Sequence, residues 1–246
     1  SSLSRLRNTP AIRVKRRCCH LCDACCCLCE NLSLMRRVLL IIGLATLGAA
    51  WLGPLPRLAE RAFFAHMTMH MCVVAVAAPL IAVGVAGARF DPVLKAPGMF
   101  APVPASIVEL VVVWTWHTPA LHHAARHFTA GLIIEQVMFL TCGLLLWLSA
   151  LGGDASMRGS HSRRAAGVVG LLLTSMHMTL LGALLALAPR PLYFHAAGFS
   201  TLTKLEDQHL GGAIMLLVGG VSYLAGGLWL MFPLVRGTAK PGEEPS

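Results

Sequence analysis

The sequence predicts an all-α, polytopic membrane helix bundle with about six transmembrane helices and both termini on the inner side. Of its 246 residues, 56% are hydrophobic and only 13% are charged, and the mean hydropathy of +0.69 lies well outside the range of ordinary soluble domains. The apolar residues form stretches close to the ~20 residues that cross a bilayer. Lys and Arg gather in the short connections between these stretches, which is what orients a membrane protein.

Six apolar segments follow one another along the chain. They cover residues 38–52, 63–85, 103–121, 132–151, 165–187 and 209–232. The first is ambiguous, because Arg36, Arg37 and the short apolar stretch behind them also fit a secretory signal peptide. From Met35 onward, nine Lys and Arg fall at the two termini and in loops 2–3 and 4–5, against five on the other side. Positively charged loops stay in the cytoplasm, so the count predicts an N-in, C-in chain.

The two ends of the chain differ from its middle. We expect residues 35–235 to form the transmembrane domain and residues 236–246 to be a disordered cytoplasmic tail. Seven of the nine cysteines lie between Cys18 and Cys29, with overlapping C-x-x-C spacings that make thiolate metal binding chemically possible. No apolar pattern surrounds them to hold such a site. We therefore expect residues 1–34 to be a disordered or non-native Cys-rich extension, with the native start at Met35.

Histidines mark the outer ends of the predicted segments. With the predicted topology, nine of the eleven histidines lie in the outer half or the outer loops, the exceptions being His20 and His161. A polar ring in hydrocarbon is costly unless it is paired, binds a ligand or faces water. The sequence therefore predicts a metal site, whose primary candidate ligands are His66, Met69, His70, His117, His177 and His209. The secondary candidates are Met67, Met71, His122, His123, Glu135 and Asp207.

Helical spacing places imidazole and thioether groups together on the second segment. His66 and His70 are separated by four residues and share a face with Met69, while Met67 and Met71 form a second such pair. This combination suits copper, above all Cu(I). Each methionine also fits a packing role, and the histidines that follow the third segment also fit a solvated loop.

Small residues in the sixth segment indicate close helix packing. Gly212, Gly219 and Gly226 recur every seven residues. Where no hydrophobic effect drives helices together, small residues on one face let the backbones approach. We interpret this stripe as a packing face without a chemical role.

Several classes of protein lack support in the sequence. There is no H-E-x-x-H zinc motif, no phosphate-binding glycine loop, no C-x-x-C-H haem attachment site and no G-x-S-x-G nucleophile. We therefore expect no enzyme. The net charge of +9 lies in loops and tails, where it orients the chain in the membrane, so we expect no nucleic-acid partner.

Several motifs, taken in order, resemble those of a known family. They are Trp51-Leu52-Gly53-Pro54, His66-Met67-Thr68-Met69-His70-Met71, Trp114-Thr115-Trp116-His117-Thr118-Pro119, Glu135-Gln136, His177 and Asp207-Gln208-His209-Leu210-Gly211-Gly212. Together they resemble the multi-span CtaG-type cytochrome c oxidase assembly family, which is linked to caa3-type oxidases. The resemblance implies a multi-pass protein of the bacterial inner membrane that helps to make active haem-copper oxidase, with oxidase subunits and the lipid bilayer as partners. In this interpretation the outer-facing His/Met cluster handles copper during oxidase maturation.

Two alternatives remain open at the level of sequence. A b-type haem-binding membrane redox protein would need two histidines at similar depth on facing helices, and His70 with His117 could serve. A copper transporter would need polar residues that continue through the inner half of the bundle. There the sequence offers Glu109, Thr174 and Ser175.

Overall fold

The computed structural model describes residues 23–193 and 202–238, which form helices and turns with no strand among them. The helices are α1 (Asp23–Leu52), α2 (Leu55–Ala59), α3 (Phe63–Met71), α4 (Ala78–Val85), α5 (Pro92–Lys95), α6 (Pro102–Trp116), α7 (Pro119–His127), α8 (Thr129–Leu151), α9 (Ala155–Gly159), α10 (His161–Ala186), α11 (Lys204–Ile214) and α12 (Gly220–Thr238). A π-helical turn at Cys72–Ala77 joins α3 to α4, and another at Met215–Gly219 joins α11 to α12. The predicted all-α fold is confirmed.

Among the described residues, five helical stretches are long and apolar enough to cross a membrane. They are Glu30–Leu52, Phe63–Val85, Thr129–Leu151, His161–Ala186 and Lys204–Val235. The predicted third segment corresponds to α6, an apolar helix of 15 residues. It was expected to continue to residue 121, but it ends at Trp116 because Pro119 cannot extend it and starts α7 instead. The orientation of the two termini stays a prediction.

The helices reach into both predicted flanking regions. Helix α1 begins at Asp23, inside the predicted Cys-rich extension, and α12 ends at Thr238, inside the predicted tail. Residues 1–22 and 239–246 lie outside the described residues. The nature of the extension and of the tail stays a prediction.

The glycine stripe of the last span packs as predicted. A Cβ at Gly212 would lie 2.4 Å from the backbone nitrogen of Ala186 in α10. At Gly219 it would lie 3.3 Å from the Met71 sulfur, and at Gly226 it would overlap the ring of Trp147 at 2.6 Å. A side chain at Gly212 or Gly226 would overlap the facing atoms, and one at Gly219 would make a tight contact with Met71.

The bundle has a buried centre and a peripheral first helix. Many apolar side chains of α1 are exposed, as is typical of a helix that faces lipid, and Ile41 is 64% exposed. The three largest fully buried side chains are Tyr223 in α12, Phe63 in α3 and Phe139 in α8. Near the start of α3, this centre contains polar side chains as well as apolar ones.

Candidate metal centre

Four histidines and one glutamate form a cluster near the start of α3. His66 and His70 come from α3, His117 caps α6, His122 lies in α7 and Glu135 in α8. The centroid of the His66 ring lies 4.3 Å from that of His70 and 4.8 Å from that of His122, and the His70 and His117 centroids are 5.9 Å apart. No member is more than 6% exposed. We call these five residues the His/Glu cluster.

The carboxylate of Glu135 lies between two of the imidazoles. Its Oε1 atom is 3.4 Å from His66 Nε2 and 3.5 Å from His70 Nε2. Neither of its oxygens has a well-oriented hydrogen-bond donor among the described residues, and the side chain is completely buried. Because an isolated buried carboxylate is strongly unfavourable, this position calls for a compensating cation or proton.

Three members of the cluster have the spacing of metal ligands. His66, His122 and Glu135 each offer one ligand atom, and these atoms lie within 4.8 Å of one another. Two atoms bound at about 2.0–2.1 Å to one tetrahedral ion are about 3.4 Å apart, which is the separation of His66 Nε2 and Glu135 Oε1. Imidazole and carboxylate donors suit copper or zinc. These residues therefore fit a metal ion after a small closing movement.

The tautomer of His117 follows from its backbone contact. Its Nδ1 atom lies 2.6 Å from the carbonyl oxygen of Val113. A carbonyl oxygen can only accept a hydrogen bond, so Nδ1 carries the proton. In the neutral ring, Nε2 then has a free lone pair, and it is buried without a hydrogen-bond partner among the described residues. His117 is thus prepared to bind a metal through Nε2.

A chain of hydrogen bonds gives His70 the opposite tautomer. Trp51 Nε1 can only donate, and it lies 3.2 Å from Gln136 Oε1. The amide nitrogen of Gln136 therefore faces His70 Nδ1, at 3.0 Å, and donates to it. Neutral His70 then carries its proton on Nε2, which faces Glu135. In this arrangement the Nε2–H group of His70 faces the carboxylate at 3.5 Å, and His70 has no Nε2 lone pair for a metal.

Tyr193 closes one side of the cluster. Its hydroxyl donates to the carbonyl oxygen of His117 at 2.6 Å, and its ring lies 4.3 Å from that of His122 and stacks on Phe63 at 4.8 Å. Burial raises the pKa of Tyr193 above its ordinary value, so the hydroxyl keeps its proton and remains a donor. The contact holds the end of α6 against α7.

Asp207 fixes the start of α3. Its two carboxylate oxygens accept hydrogen bonds from the backbone N–H groups of Phe63, at 2.8 Å, and Phe64, at 2.9 Å. These groups belong to the unsatisfied first turn of a helix, so Asp207 caps α3 from the neighbouring helix α11. His66 lies in the next turn. Asp207, a secondary metal candidate, is therefore a group that positions the cluster.

A cavity leads from the His/Glu cluster towards the surface. Its volume is about 290 Å³, and its walls include His66, Glu60 and Arg126. Arg126 donates to the carbonyl oxygens of Ala59 and Glu60, which joins α7 to the end of α2. Burial lowers the pKa of Arg126 to about 10, so it remains a cation at neutral pH.

The remaining candidates lie apart from the cluster. His209 Nε2 lies 2.9 Å from the carbonyl oxygen of Ala188, to which it donates, so this ring fastens the loop before α11. Neither ring nitrogen of His177 has a hydrogen-bond partner among the described residues, and no ring contact joins it to the cluster. His123 is exposed and packs against His127, with ring centroids 4.0 Å apart.

The methionines of α3 are engaged in helix contacts. Met67 approaches Gly211 and Met71 approaches Gly219, both in the last span. Met69 lines a separate cavity with Trp51 and Gln136. The structure thus brings together three of the primary candidates, His66, His70 and His117, and two of the secondary ones, His122 and Glu135. The ligand groups of this cluster are imidazoles and a carboxylate. Their metal-binding roles stay predictions.

Sequence reasoning missed three contributors to this site. Trp51 was noticed as part of a motif and not as the group that orients Gln136. Gln136 was noticed only as part of a motif, although a polar amide inside an apolar span is itself a signal. No sequence pattern pointed to Tyr193, because it lies in a loop and only the tertiary structure brings it into contact with His117.

Comparison with known proteins identifies the family. Searches of curated proteins and of solved structures gave no match. The family model described as cytochrome c oxidase caa3 assembly factor (Caa3_CtaG) matches residues 28–237. This range contains every member of the His/Glu cluster and the residues that position it. The chain therefore belongs to the caa3 cytochrome c oxidase assembly factor family, the one that its motifs resemble.

Proposed function

We propose that this protein supports maturation of a haem-copper oxidase in the bacterial inner membrane by binding copper in the His/Glu cluster and delivering it to an oxidase subunit. The observation that carries the proposal is the buried Glu135 carboxylate, which lies among four imidazoles without a well-oriented donor. A bound cation would compensate this charge. Membership of an oxidase assembly family supplies the link to the oxidase.

The ligands in this proposal are His66, His122 and Glu135, whose ligand atoms already lie within 4.8 Å of one another. The set contains a carboxylate and no thioether, so it favours Cu(II) over the Cu(I) expected from the methionines. Copper would enter through the cavity beside Arg126. It is cargo, and we propose no catalytic reaction.

His70 has a separate role in the proposal. Its Nε2–H group faces Glu135 Oε1 at 3.5 Å. When the site is empty, this N–H group can donate a hydrogen bond to the carboxylate. If the His70 ring is also protonated, its positive charge faces the carboxylate. His70 would thereby lower the free-energy cost of emptying the site, which is a requirement for a protein that passes its metal on.

The test is metal analysis of the detergent-purified full-length protein after incubation with copper. Glu135→Gln and His122→Gln keep side-chain size close to that of the original while removing a ligand. We expect each to lower copper affinity by at least tenfold and to reduce oxidase activity in cells at unchanged protein abundance. The matched control is His123→Gln, which changes an exposed histidine of the same helix and should behave as wild type.

Full copper binding by both ligand variants would contradict the proposal. Preferential binding of zinc over copper would contradict the choice of metal. A transporter predicts altered whole-cell copper accumulation, whereas an assembly factor predicts altered oxidase activity at normal cellular copper.

The b-type haem alternative makes a different spectroscopic prediction. It would use His70 and His117, whose ring centroids are 5.9 Å apart. That choice leaves Glu135 without a partner, and the Gln136 contact directs the proton of His70 to the nitrogen that an iron would need. A Soret band that copurifies with the protein and disappears in His117→Gln would favour haem over copper.

A further inference from the structure

Four arginines surround a cavity at the opposite end of the bundle from the His/Glu cluster. The cavity has a volume of about 290 Å³. Its polar wall consists of Arg36, Arg158, Arg163 and Arg164, and its apolar wall of Val83, Ala86, Ala150, Leu151, Trp229 and Leu230. These residues come from α1, from α4 and its C-cap, from α8, α9, α10 and α12, so the helices converge on this space. We call it the arginine cavity.

The arginines of this cavity lack close acidic partners among the described residues. Asp91 interacts electrostatically with Arg36 and Arg163, but from beyond the 4 Å of an ion pair. Arg158 Nη1 and Arg163 Nε are buried and have no hydrogen-bond partner among the described residues. Unsatisfied buried donors on neighbouring like charges are unfavourable, so the cavity calls for an anion.

Three of the four arginines contact the backbone of neighbouring segments. Arg163 Nη2 donates to the carbonyl oxygen of Ser149 at 3.1 Å, and Arg164 Nε donates to that of Arg158 at 2.6 Å. The Arg158 guanidinium packs on Gly87, where a Cβ would lie 2.3 Å from Nη1 and where φ is +73°. A glycine is therefore needed here both for its conformation and for the space that it leaves.

The nearest buried carboxylate already has partners of its own. Asp91 accepts hydrogen bonds from the N–H groups of Gly87 and Gly153, both at 2.7 Å, and of Val93 at 2.9 Å. These contacts fold the two loops next to the cavity. One carboxylate that is used in this way leaves most of the charge of four guanidinium groups uncompensated.

The start of α10 adds to the positive potential. This helix of 26 residues begins at His161, and no side chain caps its first turn. That turn carries Arg163 and Arg164, although helix N-termini favour acidic side chains. Unsatisfied N–H groups at a helix start favour anions, so the helix and the guanidinium groups act in the same direction.

We propose that the arginine cavity binds the phosphate headgroup of an anionic phospholipid. Guanidinium groups bind phosphate oxygens in a bidentate manner, and basic pockets between transmembrane helices are suited to anionic headgroups. The apolar wall distinguishes a lipid from a free anion. Trp229 in the last span is 65% exposed on the surface of the bundle. Acyl chains can therefore lie along it while the phosphate contacts the arginines.

The test is lipid binding to the full-length protein in uncharged detergent, measured by native mass spectrometry with phosphatidylglycerol, phosphatidylcholine or inorganic phosphate. We expect wild type to prefer phosphatidylglycerol. The double variant Arg36→Gln/Arg158→Gln should bind it at least about tenfold more weakly, since each arginine near a lipid surface contributes on the order of 1 kcal/mol. The matched control Arg89→Gln changes an exposed arginine that stacks on Phe90, and it should bind as wild type does.

Three results would overturn the proposal. They are equal binding of phosphatidylcholine, binding of inorganic phosphate as tight as that of phosphatidylglycerol, and unchanged binding by the double variant. If the double variant does not fold, as judged by circular dichroism, Arg158→Gln alone applies the same criterion, because Arg158 Nη1 has no hydrogen bond to lose. Copper binding is measured in parallel and should be unchanged, so the two sites are tested independently.

Discussion

Among individual residues, hydrogen-bond donors decide what each histidine of the cluster can do. His66 and His70 are equivalent in the sequence, one helical turn apart on one face of α3. They differ in the structure because only His70 faces the Gln136 amide, which Trp51 holds in one orientation. The position of one proton therefore separates His70 from His66, the proposed ligand.

The tautomer of His70 can be tested with Gln136→Glu. A carboxylate at this position accepts hydrogen bonds from both Trp51 and His70, so the proton of His70 should move from Nε2 to Nδ1. Nitrogen-15 NMR of labelled histidine in the metal-free protein measures this change. His117 is the internal control, since its Nδ1 proton is held by Val113. An unchanged His70 signal in the variant would refute the assigned hydrogen-bond chain.

Glu109 is a second buried acid with a different environment. It is fully buried, and its Oε1 lies 2.5 Å from the hydroxyl of Tyr223, which is also 3.2 Å from the carbonyl oxygen of Val74. Thr174 Oγ1 lies 3.5 Å from Oε2. No basic group lies within 4 Å in the described part of the chain. A neutral acid that donates to Tyr223, while Tyr223 donates to Val74, satisfies all of these atoms.

A neutral Glu109 predicts different effects for two substitutions. Glu109→Gln is also neutral and polar, so the free energy of unfolding should change by less than about 1 kcal/mol. Glu109→Leu leaves the buried Tyr223 and Thr174 hydroxyls with fewer partners and should destabilise by about 1–3 kcal/mol. Thermal or denaturant unfolding in detergent measures both. Equal destabilisation by Gln and Leu would mean that Glu109 carries a charge.

At the scale of helices, the π-helical turn of the second span accepts hydrogen bonds from the last span. The turn at Cys72–Ala77 leaves carbonyl oxygens that accept hydrogen bonds from outside their own helix. Ser222 donates to the carbonyl oxygen of Ala75 at 2.6 Å, and Tyr223 reaches that of Val74. These contacts supply hydrogen bonds inside the bilayer region, where water cannot do so, and they fix the two helices against each other.

The close contact between α10 and α11 can be tested with Gly212→Ala. A Cβ there would lie 2.4 Å from the backbone nitrogen of Ala186, so the helices must separate, which costs about 1–3 kcal/mol. Gly48→Ala is the matched control, since a Cβ at Gly48 meets nothing within 4 Å. Thermal unfolding of the two purified variants makes the comparison. Equal stability of both would show that this contact does not hold the helices.

For the whole molecule, the two ends of the bundle differ in chemistry. One end holds the His/Glu cluster and the cavity that leads to it, and the other holds the four arginines. Positive charge at one end is what retains that end in the cytoplasm. The predicted N-in, C-in orientation would therefore place the arginine cavity inside and the metal cluster outside.

Reporter fusions test this orientation. A phosphatase that is active only outside the cytoplasm should be active when it is fused after Arg190, in the connection between α10 and α11. It should be inactive when it is fused after Gly153, in the connection between α8 and α10. A cytoplasmic fluorescent reporter at the same two positions should give the opposite pattern. Reversal of both patterns would refute the orientation and, with it, copper entry from the outer side.

Much of the fold could be predicted from the sequence. The bounds of the second span, Phe63–Val85, agree with the predicted segment, because apolar length alone determines what can cross a bilayer. The glycine stripe of the last span predicted close packing correctly. The end of the third segment was wrong, since local hydropathy continued beyond the point where Pro119 changes the direction of the chain.

The site could be predicted only in part. The sequence by itself determined that polar rings would be buried in an apolar bundle, because residue type and hydropathy are properties of each position. Only the tertiary structure decided which rings meet. It placed His122 and Glu135 beside His66, whereas His209 forms a hydrogen bond with the carbonyl oxygen of Ala188. It also brought four arginines together around one cavity. These outcomes depend on how the helices are rotated and packed against one another, which contacts between distant residues fix and the periodicity of a single segment does not.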